Sequence, residues 1–106
     1  MKTYFKKFLF FLTLGILLLG VFSVSPDKSF EEIAPKYAAS PSKFIEVKGL
    51  KIHYRDQGKG YPIVLIHGTG SSLHTWDEWT EELIKNYRVI RLDLPAYGLT
   101  GQDPQK

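Results

Sequence analysis

The sequence has no cysteine, which excludes a disulfide framework and any thiolate metal site. It also lacks a charge surplus in its polar part. The net charge of +3 comes from Lys2, Lys6 and Lys7 at the N-terminus; the other 11 basic residues (14 minus 3) balance 11 acidic ones. That balance removes the compositional case for nucleic-acid binding. There is no internal repeat and no low-complexity tract. What remains is a short chain of 106 residues, room for one small domain at most.

Not all of it is domain. Residues 1–7 form a basic tip, and residues 8–24 are almost wholly apolar. A bilayer core needs about 20 helical residues, somewhat fewer when flanking lysines snorkel. The run therefore reads as a transmembrane helix or signal anchor in contact with the lipid bilayer. A cleaved signal peptide is the alternative, with Ser23-Val24-Ser25 as its site, although Pro26 would then follow the cut. Lysines before the run and Asp27, Glu31 and Glu32 after it place the N-terminus in the cytoplasm and the remainder outside. Cleavage would make the remainder a secreted protein.

Residues 25–42 read as a linker with Pro26, Pro35 and Pro41, holding one or two helical turns over Phe30 to Tyr37. Lys43 to Lys48 and Lys51 to Asp56 alternate, which predicts an antiparallel hairpin turning at Gly49-Leu50. Its apolar face would carry Ile45, Val47, Ile52 and Tyr54. Pro62 opens the run Ile63-Val64-Leu65-Ile66, which reads as a central strand buried on both faces. A corner follows, His67-Gly68-Thr69-Gly70-Ser71-Ser72. A helix is then expected, capped by Thr75 with Glu78 three residues on, with an apolar stripe of Trp76, Trp79, Leu83 and Ile84. Asn86 stops it, Tyr87 to Leu92 forms the next strand, and Asp93 ends that strand. The fold class is α/β.

Strand, glycine corner, helix is a layout that aims backbone N–H groups at an anion or a developing oxyanion. Dinucleotide binding is one possible use, with Asp93 lying 23 positions after Gly70. That fingerprint wants Gly or Ala where Leu73 stands, so Leu73 breaks it. The other use is an oxyanion loop. His67-Gly68-Thr69-Gly70, then Trp76, then Asp93-Leu94-Pro95-Ala96-Tyr97-Gly98, resembles the opening of the α/β-hydrolase fold family, as does Ile52-His53-Tyr54-Arg55-Asp56 with Gly58 and Gly60 before the strand. The resemblance covers residues 43–101, and residues 43–106 would be the N-terminal portion of such a domain. It departs at Ala96, where many members have glycine.

The resemblance implies an incomplete α/β-hydrolase sheet and a serine-type hydrolase acting on a small ester or related carbonyl compound, with no cofactor and no metal. The Thr69 N–H would be one oxyanion-hole donor, with Gly68 and Gly70 letting the backbone approach the substrate. His67 would brace the loop, and Asp93 would shape it. The nucleophile would sit in a Gly-x-Ser-x-Gly turn. Ser71 and Ser72 lack that flanking, so nucleophile, acid and base are expected beyond Lys106, and the chain by itself is expected to be inactive. His53 and His74 read as surface or packing residues, Asp56 and Asp103 as solvated loop charges. A dehalogenase or epoxide hydrolase on the same fold more often has His-Gly-x-Pro at the corner. A non-catalytic, membrane-tethered module is a third reading.

Overall fold

The computed structural model describes residues 1–106. Helix α1 (Lys2–Ser23) leads, followed by α2 (Phe30–Tyr37). Strands β1 (Ser42–Val47), β2 (Leu50–Gly58) and β3 (Pro62–Ile66) come next, then a 3-10 turn (Leu73–Trp76), helix α3 (Asp77–Leu83) and strand β4 (Arg88–Leu92).

Helix α1 begins at Lys2 and so runs through the basic residues into the apolar run, and none of its residues is buried. Its few polar groups bond inward: the Thr13 hydroxyl donates to the Leu9 and Phe10 carbonyls, and the Ser23 hydroxyl to that of Leu19. By length and composition this helix can cross a bilayer.

Helix α2 is more firmly set than a linker. The Ser29 N–H donates to Glu32 Oε2 at 2.9 Å while the Glu32 N–H donates to Ser29 Oγ, a reciprocal cap. Phe30 meets Phe44 edge-on at 6.0 Å between ring centres. The hairpin turns at Lys48-Gly49, one residue earlier than expected. Val47 pairs with Leu50, and the two turn residues have φ of +52° and +81°, the twist-matched two-residue turn.

The sheet order is β1-β2-β4-β3, antiparallel except for the parallel β3–β4 pair. Strand β3 pairs with β4 alone and its other edge lies open, in keeping with an incomplete sheet, so it is not buried on both faces here. Val64 and Ile66 are 54% and 56% exposed. The register puts Ile45, Ile52, Tyr54, Ile90, Leu92, Val64 and Ile66 on one face, and this apolar face is uncovered. The covered face carries Phe44, His53, Arg55, Gln57, Val89 and Arg91, packed beneath α2, the 3-10 turn and the start of α3.

The helix after the corner also departs from expectation. Thr75 caps nothing; the Ser72 side chain caps the 3-10 turn by accepting the His74 N–H, and α3 starts at Asp77 with no side-chain cap. The 3-10 turn opens at Leu73, whose N–H donates to the Asp93 carboxylate at 2.7 Å. The inward stripe is Leu73, Trp76 and Thr80, while Trp79 points outward at 65% exposure.

An apolar sheet face beside an unpaired parallel edge strand favours association. Polypeptide 27–106, freed of α1, is expected to elute in size-exclusion chromatography as high-mass species. A monomeric peak with a cooperative thermal transition would contradict this.

Candidate active-site corner

Asp93 is the fixed point of the corner. It is 1% exposed and accepts three hydrogen bonds from three parts of the chain. His53 Nδ1 lies 2.7 Å from Oδ2, the Leu73 N–H reaches Oδ1 at 2.7 Å, and the Leu99 N–H reaches Oδ2 at 2.9 Å. Burial alone would raise the pKa of this carboxyl. The bonds from His53, Leu73 and Leu99 outweigh burial and hold it below the usual aspartate range. The Asp93 carbonyl accepts the Thr100 hydroxyl at 2.8 Å, and that hydroxyl oxygen accepts the His53 N–H at 3.0 Å. Gly98 is required here. Its φ is +54°, and a Cβ would stand 2.2 Å from Asp93 Oδ2.

His53 is thus a fully buried member of a network. Its ring stacks on Phe44 at 5.0 Å, and Nε2 lies 2.8 Å from Ser42 Oγ. His74 is half-buried, with Nδ1 3.2 Å from Asp77 Oδ2 and Nε2 3.1 Å from the Tyr37 carbonyl.

His67 joins the two loops of the corner. Its Nε2 accepts the Leu94 N–H at 3.0 Å, which leaves Nδ1 to carry the proton and donate to the Gly68 carbonyl at 2.8 Å. The ring is therefore neutral and occupied at both nitrogens. It packs edge-on against Tyr97, 5.5 Å away. Between Gly68 and Gly70 the Thr69 N–H has no acceptor within the chain. A Cβ on either flanking glycine would meet open space, and Gly70 has φ +71°. The corner therefore presents an unengaged N–H to a gap that a ligand oxygen can enter. Ala96 also adopts a left-handed backbone, φ +65°, a strain of about 1 kcal/mol for a residue with a Cβ.

Arg91, Arg55, Gln57 and Asp77 form a second network that sequence reasoning missed. Arg91 is 3% exposed; it donates to Asp77 Oδ1, to the Leu73 carbonyl at 3.2 Å and to Gln57 Oε1 at 3.0 Å. Arg55 donates to Ser42 Oγ at 3.0 Å and lies 3.7 Å from Asp77. Burial and the nearby Arg91 charge push Arg55 below its usual pKa, with Asp77 and Asp93 opposing. Burial raises Asp77 while Arg91 and His74 lower it, and lowering wins. The signal was present: arginines at inward positions of two paired strands need a carboxylate on whatever covers them. Asp56 is not a free loop charge. It lies in β2 and binds the Arg88 guanidinium in bidentate fashion at 2.9 and 2.6 Å, which lowers its pKa. Asp103 accepts the Gln105 N–H in a terminal turn. No cluster of side chains suited to a metal ion is present.

No protein-family profile matches the chain. Curated proteins do. The chain is 48% identical over 46 residues to the (E)-2-((N-methylformamido)methylene)succinate hydrolase of Acinetobacter baylyi, covering 43% of this chain and 18% of that protein. It is 33% identical over 76 residues to the 2-hydroxy-6-oxo-6-(2'-aminophenyl)hexa-2,4-dienoic acid hydrolase of Metapseudomonas resinovorans, covering 68% and 26%. Among solved structures, the Cif epoxide hydrolase from Acinetobacter nosocomialis superposes with TM-score 0.61 at 35% identity, over 77% of this chain and 30% of that one. A bromoperoxidase from Bacillus anthracis superposes with TM-score 0.54 at 32% identity, over 58% and 24%. The chain thus spans about a third or less of the proteins it matches. These homologues and structural neighbours are α/β-hydrolase fold enzymes, and the mixed sheet with its helices fits part of that fold.

Because the folded pKa of Asp93 is depressed, its contribution to stability is complete above about pH 4, the ordinary aspartate value, and is lost as pH falls through the folded value. Asp77 and Asp56 act in the same direction. Asp93→Asn is expected to cost about 3 kcal/mol at pH 7 and to flatten the acid limb without abolishing it. Denaturant titrations of detergent-solubilised protein between pH 2 and 7 check both effects; an unchanged acid limb in the variant would refute the assignment.

Proposed function

We propose that residues 43–106 form the oxyanion-binding part of a serine-type hydrolase acting on a small ester or related carbonyl compound, held at a membrane by α1. The observation that carries this reading is the Thr69 N–H, unengaged between Gly68 and Gly70 while His67 fixes the peptide that precedes it. As a nucleophile attacks, the carbonyl oxygen gains charge, and a fixed N–H at hydrogen-bond distance stabilises that charge more than it stabilises the ground state. His67 is a positioning residue: both its nitrogens are engaged, so it has no free site for taking a proton. Asp93 acts likewise, by holding the two loops on either side of the gap. None of the 106 residues forms a Gly-x-Ser-x-Gly turn, so on this reading the donor and the nucleophile come from separate segments.

Ring-opening of an epoxide is a second reading, supported by the likeness to the Cif epoxide hydrolase. The corner has Gly70 where such enzymes more often have proline, which places this reading behind ester hydrolysis. The nucleophile separates them, serine for the ester and aspartate for the epoxide.

A chimera tests the oxyanion assignment. Residues 43–106 replace the matching segment of the Metapseudomonas resinovorans hydrolase, and turnover of that enzyme's substrate is followed. Thr69→Pro in this chimera is expected to lower kcat by about 100- to 1,000-fold, with thermal unfolding near that of the parent chimera. Full activity with proline at 69 would sink the assignment.

A further inference from the structure

Helix α1 ends at Ser23 and α2 begins at Phe30, so only residues 24–29 separate them. Fully extended, six residues reach about 20 Å. Helix α2 is tied down at both ends. The Ser29–Glu32 cap and the Phe30–Phe44 contact hold its start. At its end the Tyr37 carbonyl takes donors from Ser42, Arg55 and His74 at 3.3, 3.4 and 3.1 Å. Between α2 and the corner lies a groove of about 250 Å³. Ile33, Tyr37 and Leu99 form its apolar wall, with Ser72, His74 and Asp93 supplying its polar part.

The charges near this groove are already spoken for. Both oxygens of Asp93 are engaged by internal donors, and the Arg55 and Arg91 guanidiniums are turned to Asp77 beneath α3. No free cation faces the groove to receive a small carboxylate. A neutral chain fits its wall better. Ser72, at the end of the corner, is the corner residue that lines the groove.

We propose that the groove between α2 and the corner receives the acyl chain of a neutral ester that resides in the bilayer, and that the short 24–29 link holds the groove within reach of the membrane surface. This rests on the hydrolase reading of the corner and on α1 as the anchor. It narrows the substrate to bilayer-borne esters, delivered by lateral diffusion and not from bulk water.

The test uses the full chain in phosphatidylcholine vesicles with two photoactivatable esters. One is a long-chain ester carrying a diazirine in its acyl chain, the other a water-soluble short-chain ester with the same group. Labelled positions are mapped by peptide mass spectrometry. The long-chain probe is expected to label α1 and also Ile33, Tyr37 or Leu99. Ile33→Asp should cut the groove label about tenfold while leaving the α1 label and the helical circular dichroism unchanged. Long-chain label confined to α1, with the short-chain probe entering the groove, would overturn the lipid assignment and leave the hydrolase reading intact. Absence of label on α1 would overturn the anchoring on which the proposal rests. A groove that neither probe enters overturns the proposal as well, while the chimera bearing Thr69→Pro reads the oxyanion assignment separately.

Discussion

A single buried carboxylate organises this small sheet. Asp93 leaves the end of β4 and is met by a side chain from β2, by the first N–H of the 3-10 turn and by an N–H six residues downstream. A charge so deeply buried is tolerable only when every lone pair is engaged. Each of its bonds therefore fixes a segment. His53 aligns the hairpin with β4, Leu73 sets where the helix begins, and Leu99 folds the loop back across the strand end. Gly98 completes the arrangement, since any side chain there would occupy the carboxylate's own volume. The corner that carries Thr69 is braced on one side by this network and on the other by His67.

The two faces of the sheet divide the work unusually. The covered face is rich in polar groups, with His53, Arg55, Gln57 and Arg91 beneath the helices; Asp93, Asp77 and Ser42 engage most of them, while Arg91 Nε is buried without a partner. The uncovered face is the apolar one. Leu73, Val89 and Leu99 are the buried apolar residues, and they share the covered side with this polar network. Such networks rigidify when complete and cost stability when a member is lost.

Much of this was legible in the residues. Each of the four strands was found to within a few residues of its ends, because alternation in Lys43–Asp56 and unbroken apolar runs elsewhere leave little choice. The α2 span was read from Phe30 to Tyr37, though not its firm docking. What failed were decisions made by partners distant in sequence. The Thr75–Glu78 pattern matches a cap, yet Ser72 caps the 3-10 turn there, and the Leu73 N–H is taken by Asp93, 20 residues away. Helical spacing places Trp79 inward, but it points outward, and Thr80 is the buried residue. The apolar run Ile63–Ile66 is not buried on both faces, because it pairs on one side alone. The glycine corner itself was visible, while its bracing by Leu94 and Gly68 through one neutral ring was not, because tautomers follow from neighbours.

The partners of Asp93 and His67 all fall between residues 53 and 100. Such closeness along the chain matters during synthesis. The donors and acceptors that close the corner therefore become available together, as one stretch of chain leaves the ribosome.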